Sequence, residues 1–432
     1  MSTHADTGAT DVLIIGGGIG GLVLALSLHE LGVRCRVLEA APEIKPLGVG
    51  INLLPHAMRE LAELGLEARL AAVAVTTRES AFYNRFGQLI YREPLGRYAG
   101  YEWPQLSIHR GDLHAVLVEE VRERLGADAL VLGHRCVGVE QDAKGVTARF
   151  VDPQSGAPLE ARKGSVAIAC DGVHSVVRKQ LHPDEGPPVY SGVNMWRGIT
   201  RWKPFLSGAT MVRAGWLATG KMVIYPIRDG IDGAGRQLVN WLAEIETPQH
   251  ATSDWNRPGR LEDFIGAYAG WRFDWLDVEA FIHAADSILE YPMVDRDPLP
   301  FWTAGRVTLL GDAAHPMVPR GSNGAGQAIL DARTLAGCLA RGPDGAAALK
   351  AYEAIRLEAA NKVVLTNRAT PPDVILREVW QRTGDKPFAR IEDVISQAEL
   401  AALSGNYQKV AGYARDALAG RASLVGAGRS GG

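Results

Sequence analysis

Apolar and polar positions along the chain change their period several times, and each change marks an element. Residues 12–15, Val-Leu-Ile-Ile, form an unbroken apolar run of strand length. A glycine cluster closes the run, and residues 22–31 then carry the apolar content of a buried helix. A second strand over 35–38 ends at Glu39. A helix is predicted over 55–64, and another over 112–125, where Leu113, Val116, Leu117, Val121 and Leu125 fall on one face. Between these two helices, residues 79–92 alternate with period two, broken by the turn Arg85-Phe86-Gly87. Strands follow near 130–140, 146–151 and 165–170.

The texture changes over 181–300. Tryptophan and tyrosine concentrate there, and runs such as 222–227 and 238–245 predict the strands of a sheet wall. Residues 306–310 form another apolar strand, and a helix begins near Gly324. The amphipathic stretch 349–368 predicts a long helix that Pro371-Pro372 ends. A helical piece over 391–403 has no partner that the pattern identifies. The tail 411–432, rich in Ala, Gly and Arg, is expected to fray.

Composition narrows the class. A chain of 432 residues is long enough for a large core and two or three domains. With 46 basic and 49 acidic residues and no basic block, nucleic acid is not expected as a partner. No apolar run reaches the ~18 residues of a membrane span, and the polar first ten residues lack a secretion signal, so a cytoplasmic location is expected. Cys35, Cys136, Cys170 and Cys338 include no CxxC pair, so neither a metal site nor a disulfide relay is expected.

The candidate chemistry lies in three strand-end loops. The first is Gly16-Gly17-Gly18-Ile19-Gly20-Gly21, set between strand and helix and followed by a strand that ends in an acid. This is the dinucleotide fingerprint in its required context. Gly16 allows the tight turn, Gly18 lets a pyrophosphate approach the backbone, and Gly21 lets helix and strand pack closely. Glu39 can accept hydrogen bonds from a ribose diol. The fingerprint does not separate NAD from FAD. The second loop is Asp171-Gly172, at the end of the strand 167–170 and followed by Ser175 and Arg178. The third is Gly311-Asp312, which leads through Pro319 and Gly321 to the helix at Gly324.

With GxGxxG, DG and GD in this order, the chain resembles the single-component FAD-dependent aromatic monooxygenases, the para-hydroxybenzoate hydroxylase-like flavoproteins. The resemblance covers roughly residues 10–365. The segments Pro46-Leu47-Gly48-Val49-Gly50-Ile51-Asn52, Ser107–Leu113, Met195-Trp196-Arg197-Gly198 and Tyr291–Pro300 are similar to the phenazine hydroxylase branch. The implied fold is α/β: a Rossmann-like FAD-binding domain interleaved with a mixed β-sheet substrate domain, plus C-terminal helices. Its expected boundaries are 1–72, 107–180 and 301–370 for the FAD part, 73–106 and 181–300 for the substrate part, and 371–432 for the C-terminal helices and tail.

The resemblance also implies FAD as cofactor and NADH or NADPH and O2 as co-substrates. The substrate would be a small aromatic or heteroaromatic, attacked through a hydroperoxide at the flavin C4a carbon. It places Arg110, Asp171 and Asp312 on FAD, with the amides of Gly324 and Ala325 at the flavin carbonyl edge. Many members carry Asn two positions after this glycine, where this chain has Gly326, so backbone donors remain. Pro319 and Gly321 match the loop over the flavin ring; no acid or base is assigned. Trp196, Arg197 and Tyr225 are the candidate substrate contacts. Plainer readings stand beside these: a helix cap for Asp312, a turn for Pro319, a surface ion pair for Arg110, packing for Trp196 and Arg197. His315 is read as a structural hydrogen bonder and Arg178 as an anchor. A monomer or homodimer is expected. The alternative functions are a halogenase or reductase of the same fold, or a non-catalytic FAD-binding protein. The absence of a WxWxIP-type signature weighs against the halogenase.

Overall fold

In a computed structural model, the structure describes residues 12–45, 48–247, 257–342 and 344–426. Pro46 and Leu47 of the phenazine-branch segment, the polar first ten residues and the tail end 427–432 lie outside the described residues.

The fingerprint strand Val12–Ile15 sits inside a six-stranded sheet. On one side it pairs in parallel with Cys35–Leu38, which pairs with Leu130–Val131. On the other it pairs with Val166–Ala169, then Val307–Leu309, with the short antiparallel Thr303–Ala304 at the edge. The strand ends of all three glycine loops are therefore neighbours, although their sequence positions span almost three hundred residues. The helix Ile19–Glu30 is buried nearly all round. It is packed between the sheet and the helices Arg110–Leu125 and Gly324–Arg341. Leu22, Leu24 and Leu28 are each fully buried, and each contributes roughly 1.5–3 kcal/mol through area removed from water.

A second, eight-stranded sheet joins 79–94 to 189–295. Its order is Arg257–Pro258, Ala285–Asp295, Val189–Trp202, Gln237–Glu246, Gly220–Arg228, Thr210–Trp216, Glu79–Tyr83 and Leu89–Pro94. Its outer face packs Val212, Ile224 and Trp241 against Phe264, Tyr268 and Phe281. Its inner face carries Met195, Met211, Tyr225, Ile227 and Leu242 toward Val318 of the third glycine loop. A separate three-stranded sheet, Gly50–Leu53, Leu106–His109 and Ala74–Thr76, meets the large sheet at Gly50. Asn240 Oδ1 accepts from Gly50 N at 2.7 Å, while Arg197 Nη2 and Tyr225 Oη each donate to Gly50 O at 2.8 Å.

Two expectations for the C-terminal part change. The piece expected over 391–403 is a short turn, Ile391–Asp393, followed by a helix over Gln397–Ala411. Ser396 caps that helix by accepting from Glu399 N at 3.2 Å, which sets its start later than the apolar pattern does. The tail packs as far as residue 426 rather than fraying. Leu418 is buried, Arg59 Nη2 donates to Arg421 O at 2.7 Å, and Ser423 Oγ donates to Glu63 Oε2 at 2.8 Å. Polar anchors on an upstream helix hold what composition alone marks as loose.

Candidate active site

The three loops converge at the carboxyl ends of the parallel strands, where such sheets bind ligands. Gly16 takes φ +107°, and a Cβ there would stand 2.4 Å from Cys170 O of the Asp-Gly loop. A Cβ on Gly21 would stand 2.1 Å from Gly16 O. Gly18 differs: a Cβ there would meet nothing within 4 Å, so its glycine faces open space at the N-terminus of a helix. That is the shape expected where a diphosphate lies against free amides. Glu39 closes the loop, accepting from Gly17 N at 2.6 Å and Ala41 N at 2.7 Å. His114, missed in the sequence, holds the same turn through Nε2 and Gly17 O at 2.7 Å.

Asp312 is accessible at its surface yet lies deep in the molecule, which makes it the wall of a cleft. Burial raises its pKa, partly offset by His315 and Arg110. Its carboxyl has no hydrogen-bond partner among the described residues, and it does not cap the turn Gly311–Ala313. A Cβ on Gly324 would be 3.9 Å from Asp312 Oδ1, so the helix start adjoins this carboxyl. The amides of Gly324 and Ala325 have no partner within the helix. Asp171 Oδ2 accepts from Val176 N at 3.0 Å, while the buried Oδ1 is unpaired. Burial also raises the Asp171 pKa. Arg110 is exposed; its backbone N donates to Val49 O at 3.0 Å, while its guanidinium makes no hydrogen bond among the described residues. Arg178 is an anchor: Nη1 donates to Ala313 O and Ala314 O at 3.0 and 2.8 Å, tying the second loop to the third.

Beyond Pro319 and Gly321, a small pocket open to solvent lies against the inner face of the large sheet. Gly321, Phe82, Met211, Arg213 and Glu93 line it, and the C-terminal segment adds Tyr407 and Tyr413. Tyr407 Oη donates to Asn367 Oδ1 at 2.6 Å and accepts from Asn323 Nδ2 at 2.9 Å, next to the helix start.

The open cradle at Gly18, the unpartnered carboxyl of Asp312 and the free helix amides suit the diphosphate, ribityl hydroxyls and ring carbonyls of FAD. A family model described as FAD binding domain matches residues 9–195 and 296–367. The phenazine 1,6-dicarboxylic acid hydroxylase PhzS of Lysobacter antibioticus is 40% identical over 93% of this chain and 97% of its own. The chain belongs to the FAD-dependent aromatic hydroxylases. Among similar members, the 3-amino-4-hydroxybenzoate 2-monooxygenase PtnB3 of Streptomyces platensis is 36% identical over 84% of this chain and 87% of its own. Klebsiella pneumoniae HpxO, solved with FAD and uric acid, matches with a TM-score of 0.73 and 25% identity, covering 95% of this chain and 97% of that one.

The hydroxylase divides the three expected substrate contacts between two places. Trp196 stacks on Phe264 with ring centroids 5.0 Å apart, in the core of the outer face. Its expected place in the chamber is corrected by strand alternation: Trp196 and Arg197 are consecutive and point to opposite faces. Arg197 and Tyr225 lie on the inner face but are engaged at Gly50. The sequence reading missed Arg213, which was legible as the only charge in the run Thr210–Trp216.

Behind the loop of Pro319 and Gly321 lies a buried charge cluster. Lys221 Nζ is 2.9 Å from Glu244 Oε1 and 2.5 Å from Asp373 Oδ2, while Arg213 Nε is 3.3 Å from Asp373 Oδ1. Burial pushes the Asp373 carboxyl up, but Lys221 and Arg213 outweigh it and hold the pKa below the usual range. Removing one member of such a pair costs about 3–5 kcal/mol, because the other charge stays buried. His315 is structural: its Nε2 meets Asp331 Oδ2 at 2.6 Å, and Arg356 Nε donates to Asp331 Oδ1 at 2.7 Å.

Proposed function

We propose that the chain uses NADH or NADPH and O2 to hydroxylate a planar aromatic or heteroaromatic acid, of the kind for which the Lysobacter and Streptomyces relatives are named. The observation that carries this reading is the pocket lined by Gly321, Arg213 and Tyr407, with Tyr407 packed directly on Gly321. FAD, when bound, supplies electron transfer from the nicotinamide and activation of O2.

The chain's own residues bind, orient and exclude water. Gly16, Gly18 and Gly21 admit the diphosphate, and Glu39 takes the ribose on the side its backbone donors leave open. Asp312 takes ribityl hydroxyls, with Arg110 and Asp171 beside the same cleft. The amides of Gly324 and Ala325 stabilise negative charge at the ring's carbonyl edge, aided by the helix dipole. Pro319 and Gly321 set the distance between ring and substrate. Arg213 faces the substrate acid, with one edge held by Ser80 Oγ at 2.6 Å. Tyr407 and Tyr413 keep the chamber dry, which matters because water would divert reducing equivalents into peroxide.

The test mixes the FAD-loaded protein with NADH or NADPH, with and without an aromatic acid. Ligand-accelerated flavin bleaching with oxygen uptake and hydroxylated product supports the reading. Bleaching without oxygen incorporation would favour a reductase, and no reduction by either nicotinamide a non-catalytic FAD protein.

A further inference from the structure

We propose that Arg320 is a positioning residue that couples the pocket to the cofactor cleft. An aromatic acid on Arg213 supplies the anion that the buried charge cluster lacks, and Arg320 passes the change to the loop of Pro319 and Gly321. The inference rests on the monooxygenase reading and adds to it a link between its two binding sites.

Arg320 stands between Pro319 and Gly321, on the loop that leads to the free amides of Gly324 and Ala325. Its side chain turns into the cluster and is only 9% exposed. Nε lies 3.9 Å from Glu244 Oε2, beyond hydrogen-bond reach. Nε, Nη2 and that carboxylate oxygen are all buried without a hydrogen-bond partner among the described residues. Bare donors and acceptors of this kind are costly in an interior, so closing the gap would be favourable.

Charge counting accounts for the gap. Glu244 Oε1 is taken by Lys221 at 2.9 Å, and Lys221 also reaches Asp373 Oδ2 at 2.5 Å. Arg213 Nε is 3.3 Å from Asp373 Oδ1. Three cations, Arg213, Lys221 and Arg320, thus share two carboxylates, Glu244 and Asp373. Arg320, at the end of the row, is the one left short. Nearby carboxyls do not make up the difference. Asp295 gives both oxygens to Arg368, each at 2.8 Å. Glu93 bonds Ser404 Oγ and joins no salt bridge among the described residues.

Arg213 is the member of the row that lines the pocket. An acid seated on it brings the count to three of each sign. Asp373 then leans on Lys221, Lys221 loosens its hold on Glu244, and Glu244 closes on Arg320. The loop is drawn toward the large sheet, and the amides that start the helix Gly324–Arg341 are fixed for FAD. A neutral ligand of the same shape leaves the count unchanged.

A plainer role for Arg320 is to anchor the loop at all times, whatever the pocket holds. The two roles separate on coupling, which is reciprocal between two ligands. FAD dissociation constants are read by diluting the holoenzyme to equilibrium and following flavin fluorescence. The measurement is made alone and with saturating phenazine-1-carboxylate or its neutral carboxamide. In the wild type the acid should tighten FAD about tenfold more than the amide does, a coupling of ordinary size. Ring contacts with the flavin are common to both ligands and drop out of this ratio. Arg320→Met should erase the difference, and Arg320→Lys, which keeps the charge, should retain most of it. A constant anchor would weaken FAD equally with every ligand and leave the difference intact. No difference in the wild type, a full difference in Arg320→Met or none in Arg320→Lys overturns the proposal. Acid-accelerated bleaching with hydroxylated product would then leave the monooxygenase reading standing, whereas a flavin that no nicotinamide reduces would sink that reading by itself.

Discussion

A Cβ on Gly321 would stand 1.7 Å from Tyr407 Oη, so the loop at Gly321 and the helix Gln397–Ala411 fit together only because residue 321 lacks a side chain. Asn323 and Asn367 bond the same hydroxyl, so Tyr407 cannot swing aside without stripping Asn367 Oδ1 of its donor and Asn323 Nδ2 of one of its two acceptors. Gly321→Ala should therefore displace loop or helix and slow turnover by roughly a hundredfold, the cost of about 1 Å of misplacement. Limited proteolysis should cut the mutant sooner within 397–426. Tyr407→Ala in the same chain should relieve the clash and restore the resistance of the loop to cleavage.

Asp312→Ala should weaken FAD binding with little damage to the fold, because the carboxyl bonds nothing among the described residues that the protein itself needs. The measurement is the flavin-to-protein ratio after gel filtration, alongside the far-ultraviolet dichroism. A full complement of flavin would remove Asp312 from the site.

Glu39→Ala should act twice. It removes the ribose contact, and it also strips Gly17 N and Ala41 N of their acceptor, at a cost of about 1–3 kcal/mol. The apoprotein should therefore melt lower even without FAD, and Glu39→Gln should recover part of that loss. An unchanged apoprotein Tm would argue against this double role.

Glu60 gives a pH dependence with a defined sign. It is fully buried, and burial and Glu63 raise its pKa from 4.5 to about 7, against the pull of Arg59, Arg333 and Arg421. A raised folded pKa stabilises below the unfolded value. That contribution fades as pH climbs from about 4.5 to about 7. Glu60→Gln should therefore gain stability over the wild type at pH 8, by up to about 3 kcal/mol, and gain nothing near pH 4. Urea midpoints of both proteins at the two pH values check the sign.

The turns of the site were legible because strand, glycine and acid must follow one another closely for a helix N-terminus to meet a strand end. Gly16, Gly18, Gly21, Asp171, Asp312 and Gly324 all lie in such local patterns, and the structure gathers them at the carboxyl ends of neighbouring parallel strands. The chamber was less legible because its walls come from far apart. Glu93 and Ser404 are partners across 311 positions, and no periodicity records such a contact. Trp196 shows a different limit. Its aromatic ring suits a planar ligand, but a single step along a strand decides whether it faces the chamber or the core. The capping serine at 396 was within reach of the sequence, since Ser396 precedes Glu399 at helix-start spacing.

The dependence of the chamber on Tyr407 and Tyr413 bears on biosynthesis. While the ribosome is still adding residues after about 370, the six-stranded sheet already has all of its strands, but one wall of the pocket at Gly321 has not been made. A nascent chain can thus form its nucleotide cleft before the segment that carries Tyr407 and Tyr413 has been made.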